Sequence, residues 1–374
     1  MKTVNQLLSD LEKLEVQLWL DTHKDDVITE EVRLRYTAPK GALSSELREE
    51  LRKRKTEIIQ YLHHKQQIAK SPPIESILVK IQPKGSKPPL FCIHPAGGNV
   101  FCYLELSRHL SLDQPFYGLR PPNLYSKEKP FTSIEDMAAA YIKVMQSVQP
   151  QGPYYLAASS FGGIVIYEMA QQLHASGQEV AFLGMLDMLL PTARDMQNQM
   201  EKMGSEYYLV LTAFAETTAG ALGQYLPTPP EELRSLSELE AQLKYILQKL
   251  IRHKLLPVEF TFDQFCHLFE VFKNNVTAGM RYTMKTYPGK VVFFRATVDI
   301  INMFEEHQDA TKRWSEFALS GVDVHEIEGD HYSILRSPVL AEKIKPYLLK
   351  KQASTLERMT LTKSACLNGS KAIF

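Results

Sequence analysis

The sequence predicts an α/β fold built on a mostly parallel sheet, and three observations carry that expectation. Strand-like and helix-like patterns alternate through most of the chain after residue 77. One strand–helix junction, from Tyr154 to Ala170, passes through a tight Ser-Ser-Phe-Gly-Gly turn. The 374 residues, 44% apolar and 23% charged, suffice for a large buried core and are ordinary for a globular protein.

The bulk properties exclude several classes. A formal net charge of zero argues for neither a nucleic-acid nor a membrane-surface partner. Cys92, Cys102, Cys266 and Cys366 are scattered without CxxC spacing, so neither a metal site nor a disulfide framework is expected. Asp10, Glu12, Lys13 and Glu15 interrupt the first apolar segment, which argues against a signal peptide. No apolar run approaches bilayer length. A cytoplasmic location is the expectation.

The first 63 residues read as a small αββαα unit. Leu7, Leu8, Leu11 and Leu14 share one helical face. Val16, Leu18 and Leu20 alternate as in a strand, and Asp25-Asp26 marks a turn. Val32, Leu34 and Tyr36 alternate again and are expected to face the unit's own helices, with Arg33 and Arg35 on the opposite face. Pro39-Lys-Gly41 breaks the chain. Ser44 or Ser45 then caps a helix to about Leu62, with acids early and bases late, as the helix dipole favours. At Val16-Gln-Leu-Trp-Leu, Arg33-Leu-Arg-Tyr and Ala38-Pro-Lys-Gly-Ala-Leu-Ser, this segment resembles the TubC-type N-terminal docking domains of nonribosomal peptide synthetases. The resemblance implies a receptor for the C-terminal tail of an upstream synthetase subunit. Arg33, Arg35 and Lys40 would then select an acidic peptide added along a strand edge. On the residues alone, the same bases read as a solvated face. Residues 64–76 lose periodicity, carry Pro72-Pro73 and read as a linker.

The segment 77–351 carries the alternation. Ile77–Ile81 and Pro88–His94 read as strands, the second running into Pro95-Ala-Gly-Gly-Asn. Phe101–Leu110 is a helix, Pro115–Leu119 a strand, and Ser133–Val148 a serine-capped helix. The strand beginning at Tyr154 meets a helix that should stop near Gly177, and Val180–Leu186 is the next strand, ending at Asp187. From about 191 to 275 the alternation gives way to helical patterns separated by prolines, expected to form a lid. The sheet resumes at Lys290–Arg295 and Val322–Ile327, and a last helix starts near Pro338. Residues 352–374 are polar and unpatterned and are expected to be a disordered tail.

Strand, tight turn with serine, helix is the form of a nucleophile elbow. The strained turn requires small residues two before and two after the serine. Ala158 and Gly162 satisfy this for Ser160, whereas Ser159 would place Phe161 in a small slot. The usual pattern has glycine where Ala158 stands. A serine hydroxyl needs a base within reach, and the base needs an orienting carboxylate. His331, in Glu328-Gly-Asp-His-Tyr-Ser, follows a late strand at a Gly-Asp turn and is the candidate base. His325 lies within that strand and should point away from the tip. Two acids end strands, Asp187 and Asp299, and the residues alone leave both open. For an oxyanion hole, the N–H groups of Phe161 and of Ala96, in the glycine-rich loop after His94, are the candidate donors.

Together, His94-Pro-Ala-Gly-Gly, Tyr155-Leu-Ala-Ala-Ser-Ser-Phe-Gly-Gly, Leu186-Asp and Gly329-Asp-His-Tyr-Ser-Ile-Leu resemble a type I thioesterase domain of nonribosomal peptide and polyketide synthases. The resemblance covers roughly residues 77–350. It implies an α/β-hydrolase fold with a helical lid insertion, and it assigns the acid to Asp187 over Asp299. It further implies transfer of an acyl or peptidyl chain from a carrier protein's phosphopantetheine onto Ser160. Release by hydrolysis or cyclisation follows, with no cofactor bound by the enzyme itself. The family's thioesterases usually end a long synthetase, so a stand-alone enzyme with its own docking domain is the organisation expected here. A proofreading thioesterase that clears stalled carriers, and a catalytically dead scaffold, are the alternative readings.

Overall fold

The computed structural model describes residues 4–21, 33–39, 41–55, 58–59, 77–126, 128–188, 208–222, 224, 226–298 and 310–349. The expected linker at 64–76, the expected tail at 352–374, the first part of the expected lid, Val32, Lys40 and Asp299 lie outside these residues.

Near the N-terminus, helix α1 (Val4–Lys13), strands β1 (Gln17–Asp21) and β2 (Arg33–Thr37) and helix α2 (Ser45–Lys53) surround a small core of their own. Leu7, Leu8, Leu11, Val16, Leu43, Leu51 and Ile58 form it, with Leu18 and Leu34 packed against it. The two strands pair antiparallel, with Leu20 opposite Leu34 and Leu18 opposite Tyr36. Ser44 caps α2 by accepting the Leu47 N–H. One expectation is corrected here. Tyr36 shares the face of Leu34 by alternation, yet it is 50% exposed, because the apolar cluster takes in Leu34 but does not extend to it.

The larger sheet has seven strands in the order β3-β5-β4-β6-β7-β8-β9. They are β3 (Leu78–Gln82), β4 (Leu90–Ile93), β5 (Phe116–Leu119), β6 (Tyr154–Ser159), β7 (Val180–Leu186), β8 (Val291–Val298) and β9 (Val322–Asp330). Only the edge pair β3–β5 is antiparallel; every other pair is parallel. Parallel strands covered on both faces need apolar side chains in both directions, and β4 and β6 are buried at every position. Alternation then sorts the residues into two cores. Phe91, Ile93, Leu156, Ala158 and Phe293 enter one, and Leu90, Cys92, Tyr155, Ala157 and Phe294 the other.

The first core is roofed by helices α4 (Ile134–Val148) and α5 (Phe161–Ala175), and the second by α3 (Leu104–Leu110) and a final helix over 338–349, α11. Between β7 and β8 lie α6 (Tyr208–Ala221), α7 (Pro230–Arg234), α8 (Leu239–Arg252) and α9 (Phe262–Arg281). A capping box at Thr261 and Gln264 starts α9. This helix runs to Arg281, so the expected end of the insertion at residue 275 falls inside it. The short α10 (Ala310–Phe317) precedes β9.

Candidate active site

The site collects at the carboxyl ends of β4, β6, β7 and β9. Ser160 stands between β6 and α5 with φ 55° and ψ −132°, a backbone region that an L-residue occupies only under strain. The turn is over-determined. A Cβ on Gly162 would lie 2.7 Å from the His94 carbonyl oxygen, 2.8 Å from that of Ile93 and 2.9 Å from Ala158 Cβ. The methyl of Ala158 therefore fits because Gly162 has none. Gly162→Ala is expected to destabilise the protein by about 1–3 kcal/mol, the usual cost of overpacking. An unchanged melting temperature would contradict this account of the elbow. Ser159, by contrast, is the last buried residue of β6, and its N–H donates to the Tyr103 hydroxyl at 2.9 Å.

Asp187 follows β7, also with positive φ, 51°. Its N–H donates to the Phe294 carbonyl at 2.7 Å, and its Oδ1 accepts the Ala296 N–H at 2.8 Å, so β8 holds it at both ends. Its Oδ2 is 2.8 Å from His331 Nδ1. Both residues are buried, 7% and 5% exposed. His331 directly follows β9, whose last two residues are Gly329 and Asp330. Asp330 Oδ1 accepts the N–H groups of Tyr332 and Ser333 at 2.9 Å, and the Ser333 hydroxyl accepts the Asp330 N–H at 2.8 Å. Gly329 has φ 126°, and a Cβ there would sit 2.6 Å from Ser333 Oγ. His325 points elsewhere: Nε2 meets the Tyr347 hydroxyl at 2.7 Å and the ring stacks on Phe294.

Ala96 and Phe161 lie at neighbouring strand ends, since Ile93 of β4 pairs with Ala158 of β6 in parallel register. Phe161 is the first residue of α5, where backbone N–H groups have no intrahelical acceptor and the helix dipole favours negative charge. In the loop after β4, Gly98 is required twice over. Its φ is 82°, and a Cβ would press on Leu124, Val271 and Pro121 at 3.0–3.2 Å. Gly97 is not crowded: a Cβ there would have only Thr217 of α6 nearby, at 4.0 Å.

Three further residues, to which the sequence assigned no role of their own, support the site. The buried Tyr103 hydroxyl donates to the Ile93 carbonyl at 2.7 Å and accepts from Ser159, bridging the ends of β4 and β6. His94 is fully buried between Tyr141, Phe161 and its own loop, and burial lowers it to about 4, so it is neutral. Asn275, 4% exposed on α9, donates from Nδ2 to the Ala96 carbonyl at 2.8 Å. The insertion also touches the histidine turn. A Cβ on Gly220 of α6 would lie 2.4 Å from the Tyr332 ring, which itself meets His331 edge-on.

Of the docking candidates, Arg33 and Arg35 lie on β2, opposite Asp21 and Trp19 in register, and Arg35 is exposed. Among the described residues no group of three or more His, Cys, Asp or Glu is arranged to hold a metal, and no helix is long and apolar enough to cross a membrane.

Residues 88–348 match the family model described as Thioesterase domain, and residues 4–64 match the TubC N-terminal docking domain. The chain is 31% identical over 270 residues to the dimodular nonribosomal peptide synthase of Bacillus subtilis (strain 168), covering 71% of this chain and 10% of that protein. A 111-residue stretch is 44% identical to malpinin synthetase of Mortierella alpina, covering 30% of this chain and 1% of that one. The chain thus spans a tenth or less of the length of these two relatives. Among solved structures, a four-domain nonribosomal peptide synthetase bound to AMP and glycine superposes with TM-score 0.65 at 27% identity, covering 72% of this chain and 20% of that one. The NocB thioesterase domain in covalent complex with a fluorophosphonate nocardicin G analog gives 0.50 at 21%, covering 73% of this chain and all of that domain, and shows the shared fold.

Proposed function

Since the chain belongs to the thioesterase domain family, we propose that it docks on a nonribosomal peptide or polyketide synthase and unloads an acyl or peptidyl chain from carrier-bound phosphopantetheine. The observation that carries this is the Asp187–His331 pair at 2.8 Å, at the same end of the sheet as the strained Ser160 turn. With Nδ1 directed at Asp187, Nε2 of His331 is the nitrogen that takes the Ser160 proton. Ser160 Oγ attacks the thioester carbonyl, and the N–H groups of Phe161 and Ala96 meet the oxygen that becomes negative. The tetrahedral species collapses, the pantetheine sulfur takes the proton from His331, and the chain remains as an ester on Ser160. Water, or a nucleophile within the chain, attacks the ester as it gives its proton to the same nitrogen, and Ser160 Oγ leaves with that proton, releasing the product and restoring the serine. Asp187 stabilises the imidazolium without taking its proton. Helices of the insertion between β7 and β8, α6 and α8 among them, act as the lid over an acyl channel.

Incubating the protein with a synthetic acyl-pantetheine thioester, and identifying the released product by mass spectrometry, tests this. Time-dependent release of the acid or a cyclic product is the expected result. An intact thioester under conditions where Ser160 reacts with a fluorophosphonate would sink the substrate assignment.

The N-terminal unit supplies the address. A two-stranded sheet can take a further strand, and the exposed Arg35 with Arg33 favours an acidic incoming tail. Each exposed charge pair is worth about 0.2–1 kcal/mol, so no single base should dominate. Deleting residues 1–63 is expected to spare hydrolysis of the free thioester but slow release from the carrier-bound chain, because docking holds the partner near the site at an effective concentration of about millimolar. Arg33→Glu with Arg35→Glu should weaken binding of the upstream subunit's tail, more at low salt than at high. Equal affinity at both salts would reduce these bases to a solvated surface.

A further inference from the structure

Both peptide groups flanking Ala96 are held, and by different parts of the chain. The Pro95 carbonyl accepts the Gly98 N–H at 2.8 Å and lies 2.8 Å from His94 Nδ1. A carbonyl cannot donate, so the single proton of this imidazole sits on Nδ1, and Nε2 accepts from the Tyr141 hydroxyl at 2.8 Å. The Pro95 carbonyl and the Ala96 N–H belong to one planar peptide group and point in opposite directions, so holding the first aims the second. The next peptide group is held from outside the loop. Its carbonyl, that of Ala96, accepts Asn275 Nδ2 at 2.8 Å.

Asn275 is out of place by pattern. Phe265, Phe269 and Phe272 bury their side chains on α9, and Ala278 and Gly279 continue that burial, so helical spacing calls for an apolar residue at 275. A buried amide is costly unless it finds a partner, and the partner here is the backbone of one residue in the proposed oxyanion loop. The same helix presses Val271 against Gly98 and brings Gly279 against Phe161, at 3.1 and 3.2 Å from the Cβ each glycine lacks.

We propose that Asn275 is a positioning residue for the oxyanion hole, tying helix α9 to the loop whose Ala96 N–H receives the developing charge. The inference rests on the assignment of Ala96 as an oxyanion donor. It makes α9 part of the reaction's fixed frame, with α6 and α8 left as the candidates for a moving lid.

Asn275→Leu keeps the shape and removes the donor. Deleting an oxyanion donor outright costs about 10²–10³ in kcat, and here the donor is misaimed and not lost. The expected result is a fall in kcat of about tenfold to a hundredfold on the acyl-pantetheine thioester, with KM unchanged. The affinity for an alkyl boronic acid, which forms a tetrahedral adduct on the serine, should fall by a similar factor. A purely structural amide would leave the boronate affinity as it was, and that outcome, or an unchanged kcat, overturns the proposal. If the leucine variant does not fold, Asn275→Ala, which fits any geometry that asparagine fits, decides by the same two measurements. The wild-type assay separates the two levels. A wild-type protein that leaves the thioester intact overturns the proposed function and this inference with it. An active wild type matched by both Asn275 variants overturns this inference alone.

Discussion

Ser160→Ala is expected to abolish both turnover and formation of an acyl-enzyme, a loss on the order of a millionfold in kcat. The effect should be this large because Ser160 alone stands in the strained turn after β6, at φ 55°, ahead of the first N–H of α5. Its neighbour provides the control. Ser159 is buried at the end of β6, and its backbone N–H on Tyr103 is kept in alanine, so Ser159→Ala should leave both measurements largely intact. Stopped assays for turnover and intact-protein mass spectrometry for the acyl-enzyme read the two steps separately. A Ser159→Ala protein as inactive as Ser160→Ala, with the same circular dichroism, would shift the nucleophile by one residue.

Asp187→Asn should cost on the order of ten-thousandfold in kcat. The carboxylate accepts from two sides, Ala296 N–H on Oδ1 and His331 on Oδ2. An amide replaces one of those acceptors with a donor. If its oxygen stays with the β8 backbone, its NH₂ faces His331 Nδ1 and favours the tautomer with the proton on Nε2, where the base is needed free. The fold should survive, since size and the β8 contact are kept. Asp299→Asn provides the comparison and should cost far less. Reversed results for the two variants would move the acid to Asp299.

Much of this arrangement was legible in the sequence because it is local. The elbow needs small residues at fixed offsets from its serine, and Ala158 and Gly162 declare it. The Gly-Asp-His turn builds itself from Asp330 and Ser333 within three residues. Alternation and capping gave the sheet strands and the serine-capped helix at Ile134 within a few residues. Contacts between distant segments were not legible. In the sequence Asp187 and Asp299 both follow strand patterns, and nothing local says which meets His331. Tyr103 and Tyr141 look like ordinary core aromatics until their hydroxyls find Ser159 and His94. Tyr36 shares Leu34's side of the strand by alternation and is still exposed, because alternation gives the side but not what packs there. Asn275 did leave a trace, a single amide in a row of apolar positions, but its partner lies 179 residues away.

The placement of the insertion has a consequence for anyone building hybrids. It enters after β7 and leaves before β8, two strands that are paired in parallel, so its length can change without disturbing the register of Gly184 with Val292. That permits exchanging it between homologues. The sequence suggests a cut near residue 275, but such a junction would split α9 and sever the loop after β4 from the helix that grips it. A junction in the turn between α8 and α9, near Pro257, would leave Val271, Asn275 and Gly279 with the recipient. Exchange up to that point replaces α6, α7 and α8 while the recipient keeps α9 and the loop it holds.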